Sequence, residues 1–204
     1  MSLPCAGGCT SYSQSPKAAD GRDLIRNKKG APHLEFEMWV VGYRRLPYLG
    51  SPAMRELFEE SLEKMRVKYD FCINAYVIMP EHVHLLVSEP KRAILAKAIQ
   101  ALKISVSVQQ REQPFWQARY YDFNVYTTHK FREKVRYVHR NPVIRGLVEQ
   151  PEHWAWSSFL HYSKGVPGTV EVEPAWVARA RDIASANAHI SESRCGAPTA
   201  AATL

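Results

Sequence analysis

Apolar and polar positions change period several times along the chain. In residues 33–43, HLEFEMWVVGY, they alternate through the first half among β-forming types, which predicts a strand. RRLPYLGSP breaks that pattern. MRELFEESLEKMRVKY then places Met54, Leu57, Phe58, Leu62 and Met65 at three- and four-residue steps, the mark of an amphipathic helix. FCINAYVIM predicts a second strand, Pro80 and Glu81 a turn, and HVHLLVS a third strand. AILAKAIQALKISVSVQ returns to helical spacing, and FWQARYYDFNVYTT is aromatic and strand-like. HKFREKVRYVHRNP predicts a helix stopped by Pro142, with short apolar helices near Gly146 and Trp176 to follow.

The order β-α-β-β-α-β predicts an α+β fold of the ferredoxin-like, split βαβ kind. It consists of an antiparallel sheet with helices on one face and a further helix after the last strand. One domain, residues 32–165, accounts for these elements. Residues 1–31 are small, polar and punctuated by Gly and Pro, and read as a disordered leader. Residues 166–204 read as a C-terminal extension, partly disordered, ending in the low-complexity CGAPTAAATL.

Composition sharpens this picture in one respect. The 204 residues are 46% hydrophobic and 23% charged, as in a globular protein, yet the net charge is +7. Between Lys91 and Arg145 twelve Lys or Arg face only Glu112, Asp122 and Glu133, so the excess sits inside the folded part. That favours a polyanionic partner, nucleic acid before membrane surface. Cys5, Cys9, Cys72 and Cys195 lack the paired spacing of a zinc site, and reduced thiols in a cytoplasmic protein are expected. No run approaches the ~20 apolar residues of a membrane span, and the N-terminus has no signal pattern.

Two features carry candidate chemistry. In the third strand His82, His84, Leu86 and Ser88 share one face, and Val83, Leu85 and Val87 the other. If the aliphatic face lies under the helices, both imidazoles point away from the core, where two neutral rings can chelate a divalent ion. Two half-exposed histidines on an ordinary strand are the bland alternative. In KFREKVRYVHRN, Phe131, Val135 and Val138 form the buried stripe, while Tyr137 falls on the side of Lys130, Lys134 and Asn141. Asn141 is one turn after Tyr137, so the two can address one point. The alternative there is an amphipathic surface tyrosine. Lys130, Arg132, Lys134, Arg136 and Arg140 make this helix cationic, surroundings that suit a nucleophile attacking a phosphodiester.

MPEHVHLL, FWQARYYD, RYVHRNPVIRGLV and PEHWAWSSF, in that order, resemble the single-tyrosine HUH transposases, and most of all the REP-associated tyrosine transposases of bacteria. The resemblance runs from about His33 to Gly165. It implies metal-assisted cleavage and joining of single-stranded DNA bearing hairpin or palindromic elements, through a covalent 5′-phosphotyrosine. In this correspondence Tyr137 is the nucleophile, His82 and His84 bind Mg²⁺ or Mn²⁺, and Asn141 completes the ligation. Glu35 and Glu37 depart from relatives, which tend to carry small or hydroxylated residues there. The family includes monomers as well as homodimers that share active sites.

Substrate contacts are expected from cations that touch phosphates without reading sequence, with Arg119 and Arg136 nearest and Lys130, Lys134 and Arg140 beside them. Phe115, Trp116, Tyr120, Tyr121, Phe123 and Tyr126 are candidates for stacking on unpaired bases, most of them expected in the core. Trp154 and Trp156 are expected to anchor the C-terminal segment. Two other functions stay open: a catalytically inactive protein kept for binding DNA or RNA hairpins, and a metal-dependent hydrolase using water.

Overall fold

The computed structural model describes residues 35–110, 114–173 and 177. Strand β1 (Glu35–Val41) is followed by α1 (Pro52–Tyr69), β2 (Ile73–Ile78), β3 (His82–Ser88), α2 (Leu95–Ser107) and β4 (Tyr121–Val125). Then come α3 (Thr128–Ile144) and α4 (Phe159–Lys164), with 3₁₀ turns at Tyr43–Arg45 and Pro151–His153. The strands form one antiparallel sheet in the order β2-β3-β1-β4. Placing β1 between β3 and β4 is the split βαβ arrangement expected from the order of elements. The leader at 1–31 and the helix expected near Trp176 lie outside the described residues. Among those described, no helix is long and apolar enough to cross a membrane.

Strand parity gives the sheet two faces. Met38, Val40, Val83, Leu85 and Val87 share one, packed by Phe58 and Leu62 of α1 and by Ile99, Leu102 and Val106 of α2. The other carries Ala75, Val77, Leu86 and Val125, packed by Phe131, Val135 and Val138 of α3. The stripe predicted on α3 is therefore its buried face. The histidine face turns away from the first core as expected, but it is not open, because α3 lays a second core across it. His84 is 2% exposed. Parity says which residues share a face and nothing about what covers it.

Local signals set most element ends. Ser51 caps α1 by accepting from the Met54 amide at 3.3 Å, with Pro52 at the first helical position. Thr127 caps α3 by accepting from the Lys130 amide at 3.2 Å. α3 does not stop at Pro142 but runs on to Ile144, since a proline in the last turn removes only one donor. It closes through Gly146, at φ 68, whose amide donates to the Val143 carbonyl at 2.9 Å. The helix expected near Gly146 is this turn.

Only Tyr121–Val125 of the aromatic segment joins the ladder, while Phe115 and Trp116 are core residues stacked on Tyr48 and against Phe58. Trp154 and Trp156 anchor the chain after α3. The Arg55 guanidinium lies 4.8 and 4.1 Å from their ring centroids, and Trp154 Nε1 donates to the Ile78 carbonyl at 3.0 Å.

Candidate active site

His82 and His84 open β3 on the face that α3 covers. Pairing with β1 sets Val41 opposite His82 and Trp39 opposite His84. The two Nε2 atoms are 2.9 Å apart, with the rings steeply tilted to one another. From α3, Asn141 brings its amide nitrogen to 3.1 Å from His84 Nε2, and a half-turn of that amide presents its oxygen at the same place. Ligands at about 2.1 Å from one ion and at right angles stand about 3 Å apart. Both distances to His84 Nε2 are of the size that ligands sharing one divalent ion show. Among the described residues no three His, Cys, Asp or Glu side chains are grouped so as to hold a metal ion.

Electrostatics disfavour the charged form of both rings. Burial holds the His84 imidazole well below the ordinary histidine value, and His82 and Lys134 push it the same way. Burial also lowers His82; Glu81 opposes this, while Arg145 and Arg45 add to it. Neutral imidazole is the form with a lone pair for a metal. Glu81 Oε1 stands 3.6 Å from His82 Nδ1, the ring nitrogen turned away from the cluster, and Arg145 pairs with Glu81. A carboxylate there orients the ring. His84 Nδ1 is buried without a hydrogen-bond partner.

Tyr137 stands edge-on to His84 with ring centroids 5.5 Å apart, and it is 39% exposed. It lines an open groove of about 510 Å³ with His129, Arg132, Glu133, Arg136, Arg140 and Ile144. Lys134, almost one turn earlier, points inward: its Nζ is 2.7 Å from Glu37 Oε2 on β1 and 5.8 Å from the Tyr137 ring centroid. The buried carboxylate of Glu37 thus holds a cation beside the phenol. Glu37 Oε1 is left without a partner.

Four of the residues singled out from sequence, Tyr137, His82, His84 and Asn141, come together here. Arg136 and Arg140 line the groove. Lys130 is exposed and paired with Glu133 at 2.8 Å, Lys134 is engaged by Glu37, and Arg119 is exposed on the approach to β4. Sequence reasoning passed over Glu37, Trp39, Glu81 and Arg145 as parts of the site. Strand parity could have found Glu37 and Trp39, which share the histidine face, and chain adjacency could have found Glu81. No local pattern announces Arg145.

The sheet and the cluster of Tyr137, His82, His84 and Asn141 lie within a stretch that matches a known family. The family model described as Transposase IS200 like matches residues 33–141, more than half of the chain. The chain belongs to the IS200-like transposase family. A REP-associated tyrosine transposase of Escherichia coli (strain K12) is 27% identical over 105 residues, which are 51% of this chain and 64% of that protein. A relative of the same description from Haemophilus influenzae is 27% identical over 117 residues, 50% of this chain and 66% of that protein. The chain thus spans slightly less than two thirds of these relatives' length. A solved REP-associated tyrosine transposase bound to a REP hairpin shares the fold, with a TM-score of 0.58 at 22% identity over 69% of this chain and 86% of that one.

Proposed function

We propose that the chain is a divalent-metal-dependent transposase that cuts and rejoins single-stranded, hairpin-associated DNA, with Tyr137 as the nucleophile. The observation that carries this reading is that His82 Nε2 and the Asn141 amide each lie about 3 Å from His84 Nε2, beside a half-exposed tyrosine in a cationic groove. A core histidine or a surface tyrosine needs none of these neighbours. Membership of a transposase family supports it, and a relative of similar fold with a REP hairpin bound supports the hairpin partner.

His82, His84 and Asn141 would hold the ion, which when bound polarises a phosphate oxygen as a Lewis acid. The donors are two imidazoles and an amide, a set that suits Mn²⁺ at least as well as Mg²⁺, whose preference is for oxygen. Tyr137 Oη attacks phosphorus in line. A bond forms from that oxygen to phosphorus as the phenol gives up its proton, the bond from phosphorus to the 3′ oxygen breaks, and the leaving oxygen takes up one proton as a free 3′ hydroxyl, so that no proton is gained or lost overall. The phosphotyrosine ester conserves the bond, so a second 3′ hydroxyl can reverse the step and join strands. Lys134, held by Glu37, keeps a cation beside the Tyr137 ring, while Arg136 and Arg140 draw the backbone into the groove.

The test uses a labelled single-stranded hairpin oligonucleotide, Mn²⁺, and the wild-type, Tyr137→Phe and His82→Ala/His84→Ala proteins on one denaturing gel. A protein-linked band in the wild type alone is expected. Cleavage that survives Tyr137→Phe would mean that water is the nucleophile. Hairpin binding with no adduct at any metal concentration would mean a binding protein without catalysis.

A further inference from the structure

α3 covers only part of the second face of the sheet. Beyond it, β1 and β4 leave a row of rings open: Trp39 is 38% exposed, Tyr121 53% and Phe123 55%. The ladder sets Trp39 opposite Tyr121 on one side and opposite His84 on the other, so Tyr121, Trp39 and His84 form one row across three strands. Ring centroids are 6.5 Å apart from Tyr121 to Trp39, 5.3 Å from Trp39 to His84, and 5.5 Å from His84 to Tyr137. A row of rings therefore leads from the edge strand to the tyrosine, exposed at Tyr121 and Trp39 and buried at His84.

From this geometry we infer that Trp39 and Tyr121 are a stacking platform for an unpaired base next to the phosphate that Tyr137 attacks. The inference rests on the reading of Tyr137 as a nucleophile acting on DNA and adds where the neighbouring nucleotide lies. An indole and a phenol this exposed are costly to leave in water, and a base has a flat apolar surface to cover them, whatever its sequence. Charge selects the occupant. The row ends at a groove carrying Arg132, Arg136 and Arg140 against the single acid Glu133, and Lys134 lies 5.4 Å from the Phe123 ring centroid. A nucleotide brings both the flat base and the phosphate that those cations need. A second copy of this chain, the other occupant an edge strand invites, would bring like charge to them.

The experiment measures binding without catalysis, on the full chain carrying Tyr137→Phe, in chelator, by fluorescence anisotropy. Two probes share one backbone: a short oligothymidylate and the same strand made wholly of abasic sites. The oligothymidylate is expected to bind more tightly. Trp39→Ala should weaken it roughly tenfold and leave the abasic strand unchanged, with Trp39→Phe keeping most of the affinity. Indole emission should be quenched by the oligothymidylate alone, and Trp39→Phe should remove that quenching. Equal losses for both probes, or none, overturn the platform. So does a dimer in sedimentation that Tyr121→Ala dissociates. Because no metal or cleavage is involved, failure of the nucleophile assignment shows on the denaturing gel and leaves this result standing.

Discussion

Both faces of the sheet bury an apolar core, and they differ in the polar groups buried with it. Under α1 and α2 the contacts are mainly apolar, among them Met38, Phe58, Leu62, Leu85 and Leu102, and the Tyr76 hydroxyl buried with them donates to Glu59 at 2.8 Å. Under α3 the same depth holds Glu35, Glu37, Asn74, His84 and Asn141. The three buried side-chain atoms without partners among the described residues, Glu37 Oε1, Asn74 Oδ1 and His84 Nδ1, belong to this second set. Asn74 joins it by donating to Glu35. Burying polar atoms unpaired costs about 1–3 kcal/mol each. The second face therefore carries a polar cost that the first does not, and the proposed site would account for it.

That contrast can be broken by mutation. Phe58→Ala, at the centre of the first face and fully buried, should cost about 3–5 kcal/mol in urea unfolding. A loss below about 1 kcal/mol would mean the first core is not what holds the sheet. Next in size is a pH effect on the α3 side. His139 is buried, with Nε2 2.8 Å from Ser158 Oγ, and burial pushes its imidazole down to about 4 from an ordinary 6.5. The unfolded chain then takes up this proton first on acidification. The stabilisation is complete above pH 6.5 and falls by about 3 kcal/mol as pH drops to 4. His139→Gln should flatten the slope of stability against pH in that window; an unchanged slope would assign it to other groups.

Two smaller effects sharpen the comparison. Glu37→Gln removes the charge that holds Lys134, whose side chain is 23% exposed and can turn to water. Stability should fall by only about 1 kcal/mol. The adduct on Tyr137 should form more slowly, as a rapid-quench time course would record. A variant as fast as the wild type would deny Lys134 its place beside the phenol. Smallest is His84→Leu, which fills the site with an apolar group and removes the unpartnered Nδ1. Its stability should stay within about 1 kcal/mol of the wild type while metal-dependent cleavage disappears. A large destabilisation would make His84 a structural residue.

What could be read in the sequence followed the range of the signal. The period of α1, the alternation of β3 and the Phe131, Val135 and Val138 stripe are local, and each element formed where its pattern stood. The histidine pair was visible because β3 fixes both rings on one face. Its closure by Asn141 came from resemblance, since nothing in VHRNP says which strand the helix will cross. The cover over the histidine face, the pairing of Glu37 with Lys134 and that of Glu81 with Arg145 join residues far apart in the chain, which parity cannot foresee. The aromatic segment divided in the same way: composition made six rings equivalent, and tertiary packing buried Phe115 and Trp116 and exposed Tyr121, Phe123 and Tyr126.

The most direct measurement is to trap the protein–DNA adduct formed by the wild type in Mn²⁺, digest it, and locate the nucleotide by mass spectrometry. The account predicts a single modified peptide with the nucleotide on Tyr137, and no modified peptide when His82 and His84 are both alanine. A nucleotide on Tyr121 or Tyr126, or an adduct on Tyr137 that forms without the two histidines, would contradict it.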